Sequence, residues 1–200
     1  MYKRQAYNNR KTSLQFIQQE MNNITALSNE TCQLGIQSRN MVLYIAKKDS
    51  PQPIRLMSSV GKQLPLYCTG LGRALLAYKS EEEIRSLFPE VLTAYTPHTI
   101  ATINDLLKEL ELTRQRGYAV EHEETNLMVN CIAVSLDYNN APIAALSISI
   151  PTFRISESKE KEAVQILWEA KQHIETHFKM YGVDFCLLYT SPSPRDYAAS

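Results

Sequence analysis

The sequence of 200 residues predicts an α+β domain in which a mainly antiparallel sheet is flanked by helices. Three observations lead to this prediction. Strand-like segments come in pairs, and a short polar turn joins the members of each pair. Segments with helical spacing and capping residues precede, separate and follow these pairs. Strands joined by tight turns pair in opposite directions, so the sheet is expected to be mainly antiparallel.

A helix and a hairpin are predicted in the first quarter of the chain. The helix is expected over residues 14–24, because Leu14, Ile17 and Met21 repeat at the spacing of one helical face. The pair Arg39–Asn40 is placed in the turn of the hairpin that follows. Strands are predicted over residues 31–36, 41–46 and 54–58.

Three helix starts in the middle of the chain carry sequence signals. Residues 69–72, Thr-Gly-Leu-Gly, come before a compact helix over 73–77. Ser80-Glu81-Glu82-Glu83 is a capping box, which predicts a second helix. Thr102 is expected to cap a third helix, and Gly117 is expected to end it.

A second hairpin and a long final helix complete the predicted domain. Strands over 130–136 and 142–150 flank the turn signal at 137–140. Ser156 or Ser158 is expected to cap the last helix. One apolar face of this helix is formed by Ala163, Leu167, Ala170, Ile174 and Phe178.

The second hairpin is the most informative place for function. Side chains alternate along a strand, so each of its strands has one bulky apolar face and one face of small residues. The face of small residues (the small face) carries Cys131, Ala133 and Ser135 on the first strand and Ile143, Ala145, Ser147 and Ser149 on the second. Small residues leave space and hydroxyl groups bond polar ligands, which favours a small-molecule pocket. The alternative is structural, since small residues also let a helix pack closely on the sheet.

The helix start at 69–72 is a second candidate site. Backbone N–H groups at a helix start attract anions, and glycines permit close approach, so a ligand carboxylate could dock there. A tight helix start explains the same two glycines, Gly70 and Gly72, without any ligand.

Composition excludes several classes of function. Lys+Arg and Asp+Glu both number 21, and the basic residues are scattered among the acidic ones, so this segment is not expected to grip DNA. No apolar run approaches the length of a membrane span. Four cysteines lie far apart, which argues against a thiolate metal site. We expect a cytoplasmic protein without a cofactor.

Enzymatic interpretations have weak support. Glu121, Glu123 and Glu124 cluster near His122, but no second cluster has matching spacing. His173 and His177 have the i, i+4 spacing of a metal site but are expected on a solvated face, because the H-E-x-x-H pattern is absent. The apolar neighbours of Cys131 favour an inert buried thiol. We therefore expect neither a catalytic nor a metal site.

The two ends of the chain are expected to be foreign to the domain. Residues 1–5 and the segment 186–196 both read as translations of one transposon-type sequencing adapter, one in reverse complement. A flexible tail rich in Ser-Pro is the alternative explanation for the second segment. The expected boundaries are an adapter-derived stretch over 1–5, a domain over 6–185 and a second adapter-derived stretch over 186–200.

Several motifs together resemble the signature of IclR-type transcriptional regulators, in the same order and at the same spacings over nearly all of residues 6–185. They are LPLYCTGLGRALLA at 64–77, RGYAV at 116–120, EE at 123–124, CIAV at 131–134 and AALSISIP at 144–151. Residues 147–156, SISIPTFRIS, resemble the KdgR subgroup of that family, which represses pectin and ketodeoxygluconate breakdown.

The resemblance implies a GAF-like or profilin-like effector-binding domain. It further implies a winged helix-turn-helix domain that would precede residue 6 and is missing here, and homodimers or homotetramers that act on operator DNA through that missing domain. The implied effector is a small carboxylate or keto-acid. No membrane partner is expected for the protein. Family effector contacts fall by position on Leu56, Leu64, Gly70, Leu71, Glu121, Cys131, Ser147 and Ser149.

Each of these positions has an implied role. The amides of Gly70 and Leu71 match donors to the effector carboxylate, and Leu56 and Leu64 match apolar walls. Cys131, Ser147 and Ser149 match polar residues that line the pocket, and Glu121 stands where the family often has Asp.

The sequence also departs from the family pattern. Glycine is common just before the Cys131 strand, but Met128 stands here and is not expected to take glycine's dihedrals cheaply; Asn130 stands where Arg is frequent. Glu121 adds a methylene to the usual Asp. Two alternatives follow: an oligomerisation module with a vestigial pocket, if Met128 and Leu71 point inward, and a small hydrolase that uses Cys131 or Glu121.

Overall fold

The computed structural model describes residues 12–54 and 59–183. Its α-helices in this part of the chain are α1 (Ser13–Ser28), α2 (Gly70–Leu76), α3 (Glu81–Leu87), α4 (Ile103–Arg116) and α5 (Glu157–Tyr181). Its strands are β1 (Thr31–Ser38), β2 (Met41–Lys48), β3 (Gln63–Pro65), β4 (Ala119–His122), β5 (Val129–Tyr138) and β6 (Ala141–Pro151). Short 3-10 turns follow β3 at Leu66–Cys68 and β6 at Thr152–Arg154.

The strands form one antiparallel sheet in the order β3-β2-β1-β6-β5-β4. Helices α1 and α5 pack on one face of the sheet, and α2, α3 and α4 pack on the other. The predicted α+β class with a mainly antiparallel sheet flanked by helices is therefore confirmed. The two long strands β5 and β6 lie near the middle, where both of their faces are covered.

Both predicted hairpins form, and their turns explain their sequences. Arg39–Asn40 connects β1 to β2, with Arg39 at φ +58°. Asn139 and Asn140 connect β5 to β6 at φ +52° and +62°, the pattern of a type I′ turn, which favours asparagine. Asp137 and Tyr138 continue β5 and do not belong to the turn, so the strands are longer than predicted.

The predicted caps of α3, α4 and α5 are confirmed. Ser80 and Glu83 form both bonds of the predicted capping box at α3. Thr102 accepts from the N–H of Asp105 at the start of α4, which ends at Gly117 with φ +78°. Ser156, and not Ser158, is the cap of α5. Helix α2 begins at Gly70, three residues before the predicted start at 73, because Thr69 caps it.

The bulky face of the second hairpin forms the larger core. All residues of the predicted apolar face of α5 are buried there, together with Ile17, Met21 and Ile24 of α1. From the sheet, this core receives Cys32, Leu34, Ala46, Ile132, Val134, Leu136, Ala144, Leu146, Ile148 and Ile150. Helices α1 and α5 thus cover the bulky face of the sheet, and α2 packs on the opposite face of small residues.

The strand predicted over residues 54–58 is tested only at its first residue: Ile54 lies in a bend. The edge strand found in the described residues is Gln63–Pro65, which was not predicted. Residues 55–58 lie outside the described residues, and so do the end segments 1–5 and 186–200 that were predicted to be adapter-derived.

Candidate functional site

Helix α2 lies close to the small face of the sheet at Gly70 and against the preceding 3-10 turn at Gly72. A Cβ atom at position 70 would lie 3.3 Å from the Cβ of Cys131 and 3.4 Å from that of Ala133. A Cβ at position 72 would lie 2.1 Å from the backbone oxygen of Leu66. The structural interpretation of the small residues is thus correct for the part of the sheet beneath α2.

The rest of the small face borders a cavity beside the start of α2. Leu64, Gly70, Leu71, Glu121, Cys131 and Ser147, all predicted site residues, line this cavity, together with Gln33, Tyr44, Lys62, Thr69, Thr125, Asn126 and Val129. Ser149 lies next to it, and Leu56 is outside the described residues. The structure thus brings most of the predicted residues together; that they bind an effector stays a prediction.

The cavity is small. About 30 Å³ is open to water-sized groups, enough for roughly one water molecule. Leu71 is 1% exposed and lines the cavity. Met128 is 58% exposed and does not line it. Of the two side chains named in the vestigial alternative, only Leu71 therefore borders the cavity.

Gln33 of β1 is a site residue that the sequence analysis missed. Its buried Oε1 accepts hydrogen bonds from Ser149 Oγ at 3.0 Å and from Ser147 Oγ at 3.4 Å. The thiol of Cys131 lies 3.2 Å from Ser149 Oγ. The antiparallel register explains this cluster, because Ser147 faces Gln33 on one side and Ala133 on the other. A glutamine in an otherwise buried strand was the available signal.

Glu121 is a buried carboxylic acid in the cavity wall, 1% exposed. Its Oε1 accepts from the backbone N–H groups of Glu124 at 2.5 Å and Thr125 at 3.3 Å. Burial raises its pKa from 4.5 to about 7, and the charge of Glu124 adds to this, although the two N–H donors and the Cys131 thiol lower it in part. Glu121 therefore changes charge near neutral pH.

The Cys131 thiol is unsuited to nucleophilic catalysis. Burial raises its pKa well above the ordinary value, and the adjacent Glu121 carboxylate raises it further. The thiolate is the reactive form of cysteine, so the raised pKa lowers the share of the reactive form at this part-buried residue. Its hydrogen bond to Ser149 makes it part of the cavity floor.

Backbone conformation at Met128 differs from the expectation. Met128 adopts φ +69°, the left-handed conformation that glycine takes readily and that costs other residues of the order of 1 kcal/mol. The glycine-like backbone is kept, and the side chain projects into solvent. Asn130 faces away from the cavity, where it contacts His122 Nδ1 and Thr152 Oγ1, each at 2.9 Å.

A larger cavity of about 260 Å³ lies at the opposite end of α2. It is lined by Ala74, Ala77, Tyr78, Thr113, Arg114, Gly117, Tyr118, Ala119, Val134 and Ser135. None of the predicted effector contacts borders it. Because Ser135 belongs to the same small face as Cys131, α2 divides this face into two separate environments.

The two histidines of α5 differ in exposure. His173 is exposed, as expected, with its Nδ1 3.4 Å from Glu20 Oε2. His177 stacks on Phe16 with ring centroids 4.2 Å apart and is half-buried between α1 and α5, in contrast to the solvated face expected for it. Across residues 12–54 and 59–183, no three His, Cys, Asp or Glu side chains are grouped as metal ligands. None of the described helices has the length and apolar character that a membrane span requires.

Comparisons with known proteins agree on one family. The family model described as "Bacterial transcriptional regulator IclR C-terminal" matches residues 6–176. The HTH-type transcriptional regulator KdgR of Dickeya chrysanthemi is 36% identical over 168 residues, which cover 83% of this chain and 55% of the relative. The HTH-type transcriptional repressor AllR of Escherichia coli K12 is 33% identical over 158 residues, 78% of this chain and 58% of that protein. The chain thus spans little more than half the length of these relatives.

A solved structure shows the same fold. The C-terminal domain of the E. coli transcriptional regulator KdgR superposes with a TM-score of 0.74 at 32% identity, and the match covers 82% of this chain and 96% of that one. The arrangement of a curled antiparallel sheet between helices is therefore the GAF/profilin-like fold that the sequence motifs implied.

Proposed function

Because the chain belongs to the family of IclR C-terminal domains, we propose that it is the effector-binding and oligomerisation part of a bacterial DNA-binding transcriptional regulator. The proposed effector is a small carboxylate of the keto-acid class. Resemblance to the KdgR subgroup favours a ketodeoxygluconate-like molecule within that class.

The observation that carries this proposal is the polar floor of the small cavity. Three buried residues, Gln33, Ser147 and Ser149, form a hydrogen-bonded cluster with the part-buried Cys131 beside the first turn of α2. Buried polar groups that converge on a cavity fix the orientation of small ligands. Their hydroxyl and amide groups suit the keto and hydroxyl oxygens of a sugar-derived acid.

Charge favours an acid as the ligand. The first N–H groups of a helix lack partners within the helix. Thr69 accepts the N–H of Gly72 with its side chain and that of Arg73 with its carbonyl, and the N–H groups of Gly70 and Leu71 suit a carboxylate. The exposed residue Lys62 lines the same cavity. The Glu121 carboxylate would repel a bound anion when it is ionised. When it is protonated, it is neutral and would not repel the anion.

Operator binding, in this proposal, belongs to an N-terminal domain that the extra length of the relatives could hold. The effector would act by binding the DNA-competent and DNA-incompetent states with different affinity, and the homodimer or homotetramer would transmit the change. We propose no catalysis, because the relatives bear the names of regulators and the pKa of the Cys131 thiol is raised. A cytoplasmic location follows from the same role.

A second candidate function is supported by the size of the cavity. With room for about one water and the buried Leu71 in its wall, the domain would serve as an oligomerisation module whose pocket no longer binds a ligand.

A thermal-shift panel tests the two candidates. The chain is heated with pyruvate, glyoxylate, 2-keto-3-deoxygluconate or, as a control without a carboxylate, hydroxyacetone. A ligand at a hundred times its Kd adds about 2.7 kcal/mol of stability, which raises Tm by about 5–10 °C. We expect such a rise with at least one acid and none with hydroxyacetone. If no acid raises Tm while sedimentation shows a stable oligomer, the oligomerisation module is the better account.

A further inference from the structure

The proposed function requires part of the cavity wall to move. Pyruvate is several times larger than a water molecule, yet the cavity holds about 30 Å³, far below the roughly 300 Å³ of ordinary ligand sites. Some element must therefore shift when a keto-acid binds. The inference that follows rests on the proposed function for its ligand, but its geometry concerns the unliganded protein.

Two of the walls are fixed by packing. Helix α2 cannot move toward or along the sheet, because Gly70 touches Cys131 and Gly72 lies against the backbone of Leu66. The floor belongs to β1, β6 and β5, which are adjacent strands inside the sheet. A third wall, Lys62 and Leu64 at the edge strand, is held to β2 by strand pairing and by the N–H of Tyr44, which donates to the carbonyl of Lys62 at 3.0 Å. Thr125 and Asn126 form the fourth wall and belong to the segment 123–128 between β4 and β5, which we call the strap.

The first two residues of the strap are anchored. Thr96 Oγ1 donates to the carbonyl of Glu123 at 2.6 Å, and Thr99 Oγ1 donates to the carbonyl of Glu124 at 2.6 Å. The N–H of Glu123 donates to the carbonyl of Val129 at 2.9 Å. Each of these bonds ties the strap to a neighbouring segment of the chain.

A buried ion pair completes the anchor. Arg73, 2% exposed, places its Nη2 2.5 Å from Glu124 Oε2, and the same oxygen accepts the N–H of Ile100 at 3.1 Å. The other nitrogens of Arg73 donate to the carbonyls of Tyr67 and Val120, both at 2.9 Å. One guanidinium group thus joins α2, β4 and the strap.

The middle of the strap is held far less. Thr125 and Asn126 line the cavity, and Leu127 is 55% exposed. Thr125 donates one long bond, 3.3 Å, to Glu121 Oε1. Among residues 12–54 and 59–183, no hydrogen bond or ion pair holds Asn126 or Leu127.

Both ends of this segment are sharp turns. Glu123 and Met128 adopt left-handed backbones at φ +54° and +69°, and Met128 donates its N–H to Glu123 Oε1 at 2.6 Å. The two turns and this bond hold the first and last residues of the strap, Glu123 and Met128, close together.

We propose that the strap is a lid with a fixed hinge: the Arg73–Glu124 pair holds residues 123–124 in place, and residues 125–127 swing outward to admit the ligand. Opening by this route breaks only the weak Thr125 bond and leaves the core and α2 undisturbed. Segments with few bonds and exposed side chains open at low cost in free energy, as lids of binding sites do.

Amide hydrogen exchange of the unliganded chain, resolved by NMR, tests the lid. We expect the amides of Asn126 and Leu127 to exchange at least about 100-fold faster than that of Glu124. In the double variant Arg73→Met with Glu124→Leu, which replaces the pair by apolar side chains of similar size, the amides at 123 and 124 should exchange at least about tenfold faster than in the wild type, because the pair no longer adds to the backbone bonds of these two residues.

The matched control is Lys171→Met with Glu175→Leu, which removes a part-buried ion pair within α5, on the other face of the sheet from α2. It should leave exchange at 123–124 unchanged within about twofold. Glu124→Gln, which keeps the volume and one acceptor oxygen, replaces the double variant should that fail to fold; about tenfold faster exchange at 123–124 is then expected.

Two results would overturn the lid. One is protection of Asn126 and Leu127 equal to that of β5, and the other is unchanged exchange at 123–124 after the pair is removed. Added pyruvate supplies a separate readout, since binding should slow exchange at 125–127 alone. If no acid binds, the unliganded measurements still decide the lid, so failure of the proposed function is distinguishable from failure of this inference.

Discussion

The polar side chains around the cavity carry most of the chemistry of this domain, and some of them were predicted from the sequence while others were not. Alternation along β5 and β6 was sufficient to select Cys131, Ser147 and Ser149 as one small polar face. Gln33 was missed because its partners are more than a hundred residues away in the chain and only the strand register joins them. Met128 was misjudged for a different reason: its bulk was expected to matter, but the side chain leaves the site while the backbone accepts the strain.

Burial of Glu121 predicts how the stability of the protein depends on pH. Its folded pKa of about 7 exceeds the ordinary 4.5, so stability present below pH 4.5 is lost as the pH rises toward and through 7. Glu121→Gln has no charge to bury, and its free energy of unfolding relative to wild type should rise by up to about 3 kcal/mol between pH 4.5 and 8. Urea unfolding at several pH values measures the difference.

An exposed acid supplies the control for this experiment. Glu82→Gln on α3 should show no such change with pH. A constant difference between wild type and Glu121→Gln over the same pH range would show that Glu121 is not buried as a neutral acid.

Elements were predicted well where their signals are local. The capping box of α3, the Gly117 stop of α4 and the apolar face of α5 all depend on residues within one or two turns of each other. The position of α2 across the small face was not predictable, because it depends on contact with Leu66 and with β5. That contact decides which small residues lie beneath a helix and which face a cavity.

Packing of α2 gives a prediction with an internal control. Gly72→Ala places a Cβ 2.1 Å from the backbone oxygen of Leu66, which cannot move without shifting the 3-10 turn. We expect a loss of roughly 2–4 kcal/mol, typical of severe overpacking. Gly70→Ala meets side-chain atoms at 3.3 and 3.4 Å and should cost about 1 kcal/mol or less. Equal losses in urea unfolding of the two variants would contradict the described approach of α2.

At the scale of the whole molecule, the sheet separates a large apolar core on one face from the cavities on the other face. The core against α1 and α5 holds the fold, while the layer of α2, α3 and α4 leaves polar space on the opposite face. The fold class followed from local patterns and from family motifs. The size of the cavity and the anchoring of the strap did not, because they depend on contacts such as Arg73 to Glu124 between distant segments.

The most direct test of the central claim, that the polar floor beside α2 binds a small acid, is isothermal titration of 2-keto-3-deoxygluconate and pyruvate into three proteins. They are wild type, Ser147→Ala with Ser149→Ala, and Ser135→Ala, which changes a serine of the same face on the other side of α2. Two lost hydrogen bonds of about 1 kcal/mol each should weaken Kd by about 10- to 100-fold in the double variant, whereas Ser135→Ala should stay within about twofold of wild type. Absence of binding to wild type, or equal binding by all three proteins, would contradict the account.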